Sequence, residues 1–167
     1  TPSHIMDAYR DWVGDNVKNE VVLAYVSIHE STKKMVEHLS NALIRRGIVV
    51  RQFNLPATDL GRLAIALVDA ATIVLGSPTV LTGAHPKAAY AAFVANALRP
   101  KTRFASVIGS FGWGGKMVEQ LAGLLTNMKV ELLTPVIAKG QPKEPEYLAL
   151  DTLADQILAK HREIRIA

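Results

Sequence analysis

Hydroxyls, glycines and a tryptophan gather in three short stretches of this 167-residue chain. SIHEST (27–32) carries Ser27, Ser31 and Thr32, and several such hydroxyls together can hold an anion without a lysine or arginine touching it. GSPTVLTGAHP (76–86) sets Pro78 and Thr79 ahead of Gly83, whose missing side chain lets backbone come close to a flat ring or take a positive φ. GSFGWGGK (109–116) surrounds Trp113, a planar face for stacking, with glycines that open space around it. The chemistry on offer is the anchoring of a phosphate and the sandwiching of a ring, with no acid, base or nucleophile required. Each stretch also has a plainer account: Ser31 as a helix cap, 76–86 as a surface turn, Trp113 as core.

The rest of the chain reads as a frame for these stretches. Apolar, β-branched runs at Val21–Val26, Ile48–Phe53, Ala71–Leu75, Phe104–Ile108 and Leu132–Ala138 predict five strands. Helical patterns lie between and after them, at 31–46, 59–69, 86–98, 115–128 and 146–162. In the first, Met35, Val36, Leu39, Ala42 and Leu43 share a face opposite Lys34, Glu37, His38, Asn41 and Arg45, and Gly47 supplies the stop. Pro86 suits the first turn of the third. Buried runs alternating with amphipathic helices predict a parallel α/β sheet covered on both faces. Ligands bind such sheets beyond the carboxyl ends of the strands, where the three stretches fall, after strands one, three and four. SIHEST in particular ends where a helix begins, so unpaired amides and the positive end of the helix dipole point into the same space as its hydroxyls.

Composition narrows the function further. The length suits a single domain, 20–167, preceded by a polar lead-in or linker at 1–19. No stretch approaches the roughly 20 apolar residues of a membrane span, no secretion signal opens the chain, and there is no cysteine, which together predict a soluble, cytoplasmic protein with no thiol chemistry of its own. The net charge of +4 is scattered and not interleaved with aromatics, which argues against nucleic acid and for an acidic protein or anionic cofactor.

Competing phosphate signatures fail on inspection. Around Lys116 a Walker loop would need glycine where Ser110 stands and a hydroxyl where Met117 stands. The dinucleotide pattern begun by Gly112 and Gly114 also meets Met117 in place of its last glycine, and it follows the fourth strand instead of the first. No G-x-S-x-G elbow is present.

Taken in order, Y-x-S-x-x-x-S-T-x-K-M at Tyr25–Met35, GSPT at Gly76–Thr79 and GSFGWGG at Gly109–Gly115 resemble the flavodoxin-like domain of the flavodiiron proteins, or A-type flavoproteins, through residues 21–160. The resemblance implies a three-layer α/β sandwich whose five-stranded parallel sheet has the order 2-1-3-4-5. It also implies bound flavin mononucleotide (FMN), with Ser27, Ser31 and Thr32 and the amides of Ile28, His29 and Glu30 around the phosphate. Pro78, Thr79, Val80, Leu81, Thr82 and Gly83 would line the ring and ribityl chain, and Ser110, Phe111, Gly112, Trp113, Gly114 and Gly115 would close the other side. Electrons would arrive from rubredoxin or a related carrier and leave for a diiron domain or subunit that reduces oxygen or nitric oxide, and the family's arrangement leaves room for a homodimer.

Departures are His29, where an aromatic is often found, Thr82-Gly83 in place of a frequent Asn pair, and Glu30, whose carboxylate must face solvent for a phosphate to bind. His29 and His85 would stand at the ring's rim. AYRDW (8–12) resembles the family's interdomain linker and His4 a metal ligand, but one ligand makes no metal site, and none is expected in this chain. The alternatives are a nicotinamide-dependent flavin or quinone reductase on the same fold, and a docking module that has lost flavin.

Overall fold

The first strand has no polar alternation because both its faces are buried. In the computed structural model, which describes residues 17–26, 30–57, 59–80, 83–98, 101–111, 117–125 and 130–167, β1 (Lys18–Tyr25) is the second strand of the sheet. Val21, Leu23 and Tyr25 point into one core, Val22 and Ala24 into the other. β1 is flanked by β2 (Val49–Asn54) and β3 (Ala70–Val80), all parallel, and β3 is followed across the sheet by β5 (Phe104–Phe111). The far edge is built by β6 (Glu131–Leu132) and β7 (Val136–Lys139), both parallel to β5. Counting that edge as one strand and setting aside the short β4 described below, the order is 2-1-3-4-5.

Helices cover both faces. On one, α1 (Ser31–Arg45) and α5 (Glu144–Glu163) bring Met35, Leu39, Leu43, Leu150, Leu153 and Ile157 onto Val21, Leu23, Val74 and Ile108. The apolar stripe expected on α1 is buried throughout, and each large side chain contributes on the order of 1.5–3 kcal/mol. On the other face lie α2 (Leu60–Asp69), α3 (Pro86–Leu98) and α4 (Met117–Leu124). α3 presents Ala88, Ala91, Ala92 and Ala95 at helical spacing, small residues that let it approach the sheet closely. Asp59 caps α2 by accepting from Gly61 N at 2.9 Å.

Three boundaries depart from the sequence reading. β1 begins at Lys18, inside the expected lead-in, where Lys18 pairs with Ala70 and reaches Asp69 at 3.6 Å. β3 runs past Leu75 to Val80 and folds back on β4 (Gly83–Ala84) in antiparallel register, Thr79 opposite Ala84 and Val80 opposite Gly83. The fifth strand is broken because Pro135 has no N–H to give the ladder. Around the break Thr134 O accepts from Ser106 Oγ (3.1 Å) and Thr134 N donates to Gln156 Oε1 (3.2 Å), and the register against β5 advances by one residue between Ala105–Leu132 and Ile108–Val136.

A buried polar chain ties the last turn of α5 to the sheet. Asn19 Nδ2 donates to Gly47 O (3.3 Å), so its Oδ1 accepts from His161 Nδ1–H (2.7 Å), which leaves Nε2 to accept from the Thr72 hydroxyl (2.7 Å). His161 is completely buried, and burial pushes its pKa down to about 4.

Candidate functional site

At the carboxyl edge of the sheet, two glycines set how closely the elements approach. A Cβ at Gly76 would stand 2.9 Å from Tyr25 Cβ and 3.3 Å from Thr32 Cγ2 and Val36 Cγ2, so only glycine lets α1 seat its first turn against β3. A Cβ at Gly109 would stand 1.9 Å from Ser77 O. β3 and β5 therefore run side by side to their ends, with Ser77 beside Gly109 and Pro78 beside Ser110, while Val26 N donates to Gly76 O at 2.9 Å.

This geometry brings members of all three stretches together. Ser31 Oγ and Ser110 Oγ are hydrogen-bonded at 3.0 Å, both buried, and Pro78 is buried beside Ser110. Glu30, and not Ser31, occupies the cap position of α1: its φ is +63°, its carbonyl accepts from Lys34 N (2.9 Å), and its side chain makes no cap bond. Glu30 is exposed. A non-glycine residue in the left-handed region is uncommon and is held there by its surroundings.

Thr32 is the residue whose chemistry is left incomplete. It is 1% exposed, and its Oγ1 has no hydrogen-bond partner among the described residues. A buried hydroxyl left unpaired costs about 1–3 kcal/mol. It lies in the first turn of a helix whose opening amides have no acceptor within the helix, and that turn contains no acidic residue. The arrangement suits an acceptor-rich anion such as a phosphate.

The second stretch is a hairpin made of the end of β3 and β4. Ser77 Oγ, buried, donates to Pro78 O (2.7 Å) and accepts from His85 N (2.9 Å), closing the base of the hairpin. Gln120 Oε1 of α4 accepts from Ala84 N at 2.8 Å. His85 caps α3, its Nδ1 accepting from Lys87 N (3.1 Å) and its carbonyl from Ala89 N (3.0 Å). Of the residues expected at the site, Glu30, Ser31, Thr32, Pro78 and Ser110 are placed as above, and Thr79, Val80, Gly83 and Phe111 are fixed as strand positions. Ser27, Ile28, His29, Leu81, Thr82, Gly112, Trp113, Gly114 and Gly115 lie outside the described residues.

The sequence reading did not single out Ser77 or Gln120. Ser77 sits inside the quoted GSPT and carried a signal of its own, being a polar residue continuing a buried strand, whereas Gln120 carried none.

A separate cavity of about 320 Å³ lies on the α2 flank, lined by Glu20, Arg51, Phe53, Arg62, Ile65, Ala66 and Asp69. It includes an Arg51–Glu20 ion pair at 3.4 Å and none of the residues of the three stretches. Among the described residues no cluster of His, Asp and Glu is arranged to hold a metal, and no helix is long and apolar enough to cross a membrane.

No family model matches the chain. The rubredoxin-oxygen oxidoreductase of Megalodesulfovibrio gigas is 31% identical over 160 residues, 95% of this chain and 40% of that protein. The nitric oxide reductase of Moorella thermoacetica is 31% identical over 132 residues, 79% of this chain and 33% of that protein. The chain thus spans about two fifths or less of the length of these curated relatives. Among solved structures, the rubredoxin oxygen:oxidoreductase from the anaerobe Desulfovibrio gigas superposes with a TM-score of 0.88 at 29% identity, over 99% of this chain and 41% of that one. A flavodoxin from the domain Archaea superposes with a TM-score of 0.73 over 86% of this chain and 99% of its own; at 21% identity that likeness speaks to the fold.

Proposed function

We infer that this chain, a flavodoxin-like domain related to flavodiiron proteins and flavodoxins, holds FMN at the carboxyl edge of its sheet and serves as an electron-transfer module. FMN is the cofactor that flavodoxin and flavodiiron relatives bind. When bound, FMN supplies the redox chemistry, taking up two electrons and releasing them singly.

The protein's part is binding and orientation. Ser31 and Thr32, with the opening amides of α1 and Ser27–Glu30, would hold the phosphate; Pro78–Gly83 and Ser110–Gly115 would hold the ring from two sides. The observation that carries this reading is the Thr32 hydroxyl, buried and without a partner among the described residues, beside the Ser31–Ser110 bridge that joins the first stretch to the third. Exposure of the Glu30 side chain supports it, since a carboxylate turned into the cradle would repel the anion. With Thr32 in place, several charge-assisted bonds of about 1.5–3 kcal/mol each would retain the dianion, and no side chain need move a proton. A rubredoxin-like carrier as donor and a diiron domain as acceptor are the partners this reading assigns.

Titration of the protein with FMN and with riboflavin, followed by absorption and fluorescence, tests the assignment. FMN should bind markedly more tightly, and Ser31→Ala should shrink the preference. Equal affinities in the wild-type protein would reject the phosphate cradle. Rapid bleaching of the bound flavin by reduced nicotinamide alone would favour a reductase on the same fold.

A further inference from the structure

Gln120 lies outside the stretches that mark the site, yet it joins two of them. It stands on α4 three residues after Met117, on the same side of the helix. Met117 is buried against the end of β5: a Cβ at Gly109 would come within 2.8 Å of its Cε. α4 is thereby seated on the strand from which the third stretch departs, and from that seat Gln120 Oε1 takes the Ala84 N–H of the hairpin at 2.8 Å. Ala84 is 8% exposed, so without Gln120 this amide would be a poorly solvated donor with no side-chain acceptor among the described residues.

We propose that Gln120 is a positioning residue that clamps the β3–β4 hairpin to α4, so that the hairpin and the end of β5 hold the two sides of the ring site at a fixed separation. The proposal deepens, and rests on, the flavin reading above. The separation matters because dispersion contacts fade steeply with distance: a gap of about 0.5–1 Å forfeits roughly a quarter to a half of the attraction. Ser77 closes the base of the hairpin through His85 N and Pro78 O, and among the described residues Gln120 supplies the side-chain hydrogen bond that ties the hairpin to the neighbouring helix.

Gln120 is exposed, so replacing it opens no hole in the core. Gln120→Met keeps the length and removes the acceptor; Gln120→Glu keeps an acceptor oxygen in place. The measurements are FMN and riboflavin dissociation constants, the flavin midpoint potential, and amide hydrogen exchange at Ala84 in the ligand-free protein. Gln120→Met should weaken both ligands by a similar factor of about ten, leave their ratio unchanged, shift the potential, and speed Ala84 exchange; Gln120→Glu should restore Ala84 protection and both affinities. Wild-type affinities, or wild-type Ala84 exchange, in Gln120→Met would overturn the clamp. If the wild-type protein holds FMN no tighter than riboflavin, the phosphate cradle falls while Ala84 exchange and riboflavin affinity still decide the role of Gln120. Failure to bind either flavin overturns both.

Discussion

Replacing Thr32 by valine should make the empty protein more stable and its grip on FMN weaker. Valine keeps the branched shape of threonine, including the methyl group that a Cβ at Gly76 would meet at 3.3 Å, and puts a second methyl in place of the hydroxyl. In the ligand-free protein that hydroxyl is buried without a partner among the described residues, so its removal should recover part of a cost of about 1–3 kcal/mol. For a domain of this size each kcal/mol raises Tm by roughly 2–4 °C. In the complex the same hydroxyl would donate to the phosphate, and losing about 1.5–3 kcal/mol there raises the FMN dissociation constant about 10- to 150-fold. Riboflavin, which has no phosphate, should bind as before. Calorimetric melting of the ligand-free variant and paired fluorescence titrations read the two halves separately. A variant that melts earlier than wild type and binds FMN equally well would show that the hydroxyl serves the fold and not the anion, and the reasoning would fail.

Two further outcomes follow from other parts of the molecule. His161 stays neutral in the folded protein down to about pH 4 because of its burial, whereas in the unfolded chain it takes a proton near pH 6.5; its contribution is therefore complete above pH 6.5 and is lost as pH falls toward 4, by about 3 kcal/mol in all. Urea unfolding at intervals between pH 4.5 and 7 should show that slope in wild type and a flatter one in His161→Gln. Gly109→Ala puts a Cβ 1.9 Å from Ser77 O, a backbone atom that cannot rotate away, and should cost about 3 kcal/mol or more by chemical denaturation; a change below about 1 kcal/mol would mean that β3 and β5 separate freely.

The inner strands were legible because burial on both faces writes itself as unbroken apolar runs, and α1 because its apolar stripe has the helical period. What escaped was contact between residues distant in sequence. The acceptance of the Ala84 amide by Gln120 spans 36 residues and the bond from His161 to Asn19 spans 142, and no local pattern encodes either. Ser31 was open to a cap reading because serine favours that position; the fold assigns the cap to Glu30 and turns Ser31 to Ser110. The hairpin after β3 was read as loop because Pro78 and Gly83 signal turns, and the strand continues there because β5 runs alongside to Ser110. His85, expected at the rim of a ring, uses its Nδ1 to begin α3.

The single-residue step at Pro135 sets the reading frame of the outer strand. Leu133 and Val136 are three apart, an odd spacing that would put them on opposite sides of a regular strand, yet both are buried in the same core. The step also decides what stands next to the serine bridge: Ala138, and not Ile137, is the strand partner of Ser110. Without the added residue the frame would bring Ile137 alongside Ser110, and its branched bulk would crowd the place where the first and third stretches join. An edge proline thus fixes which side chain stands beside the Ser31–Ser110 bridge.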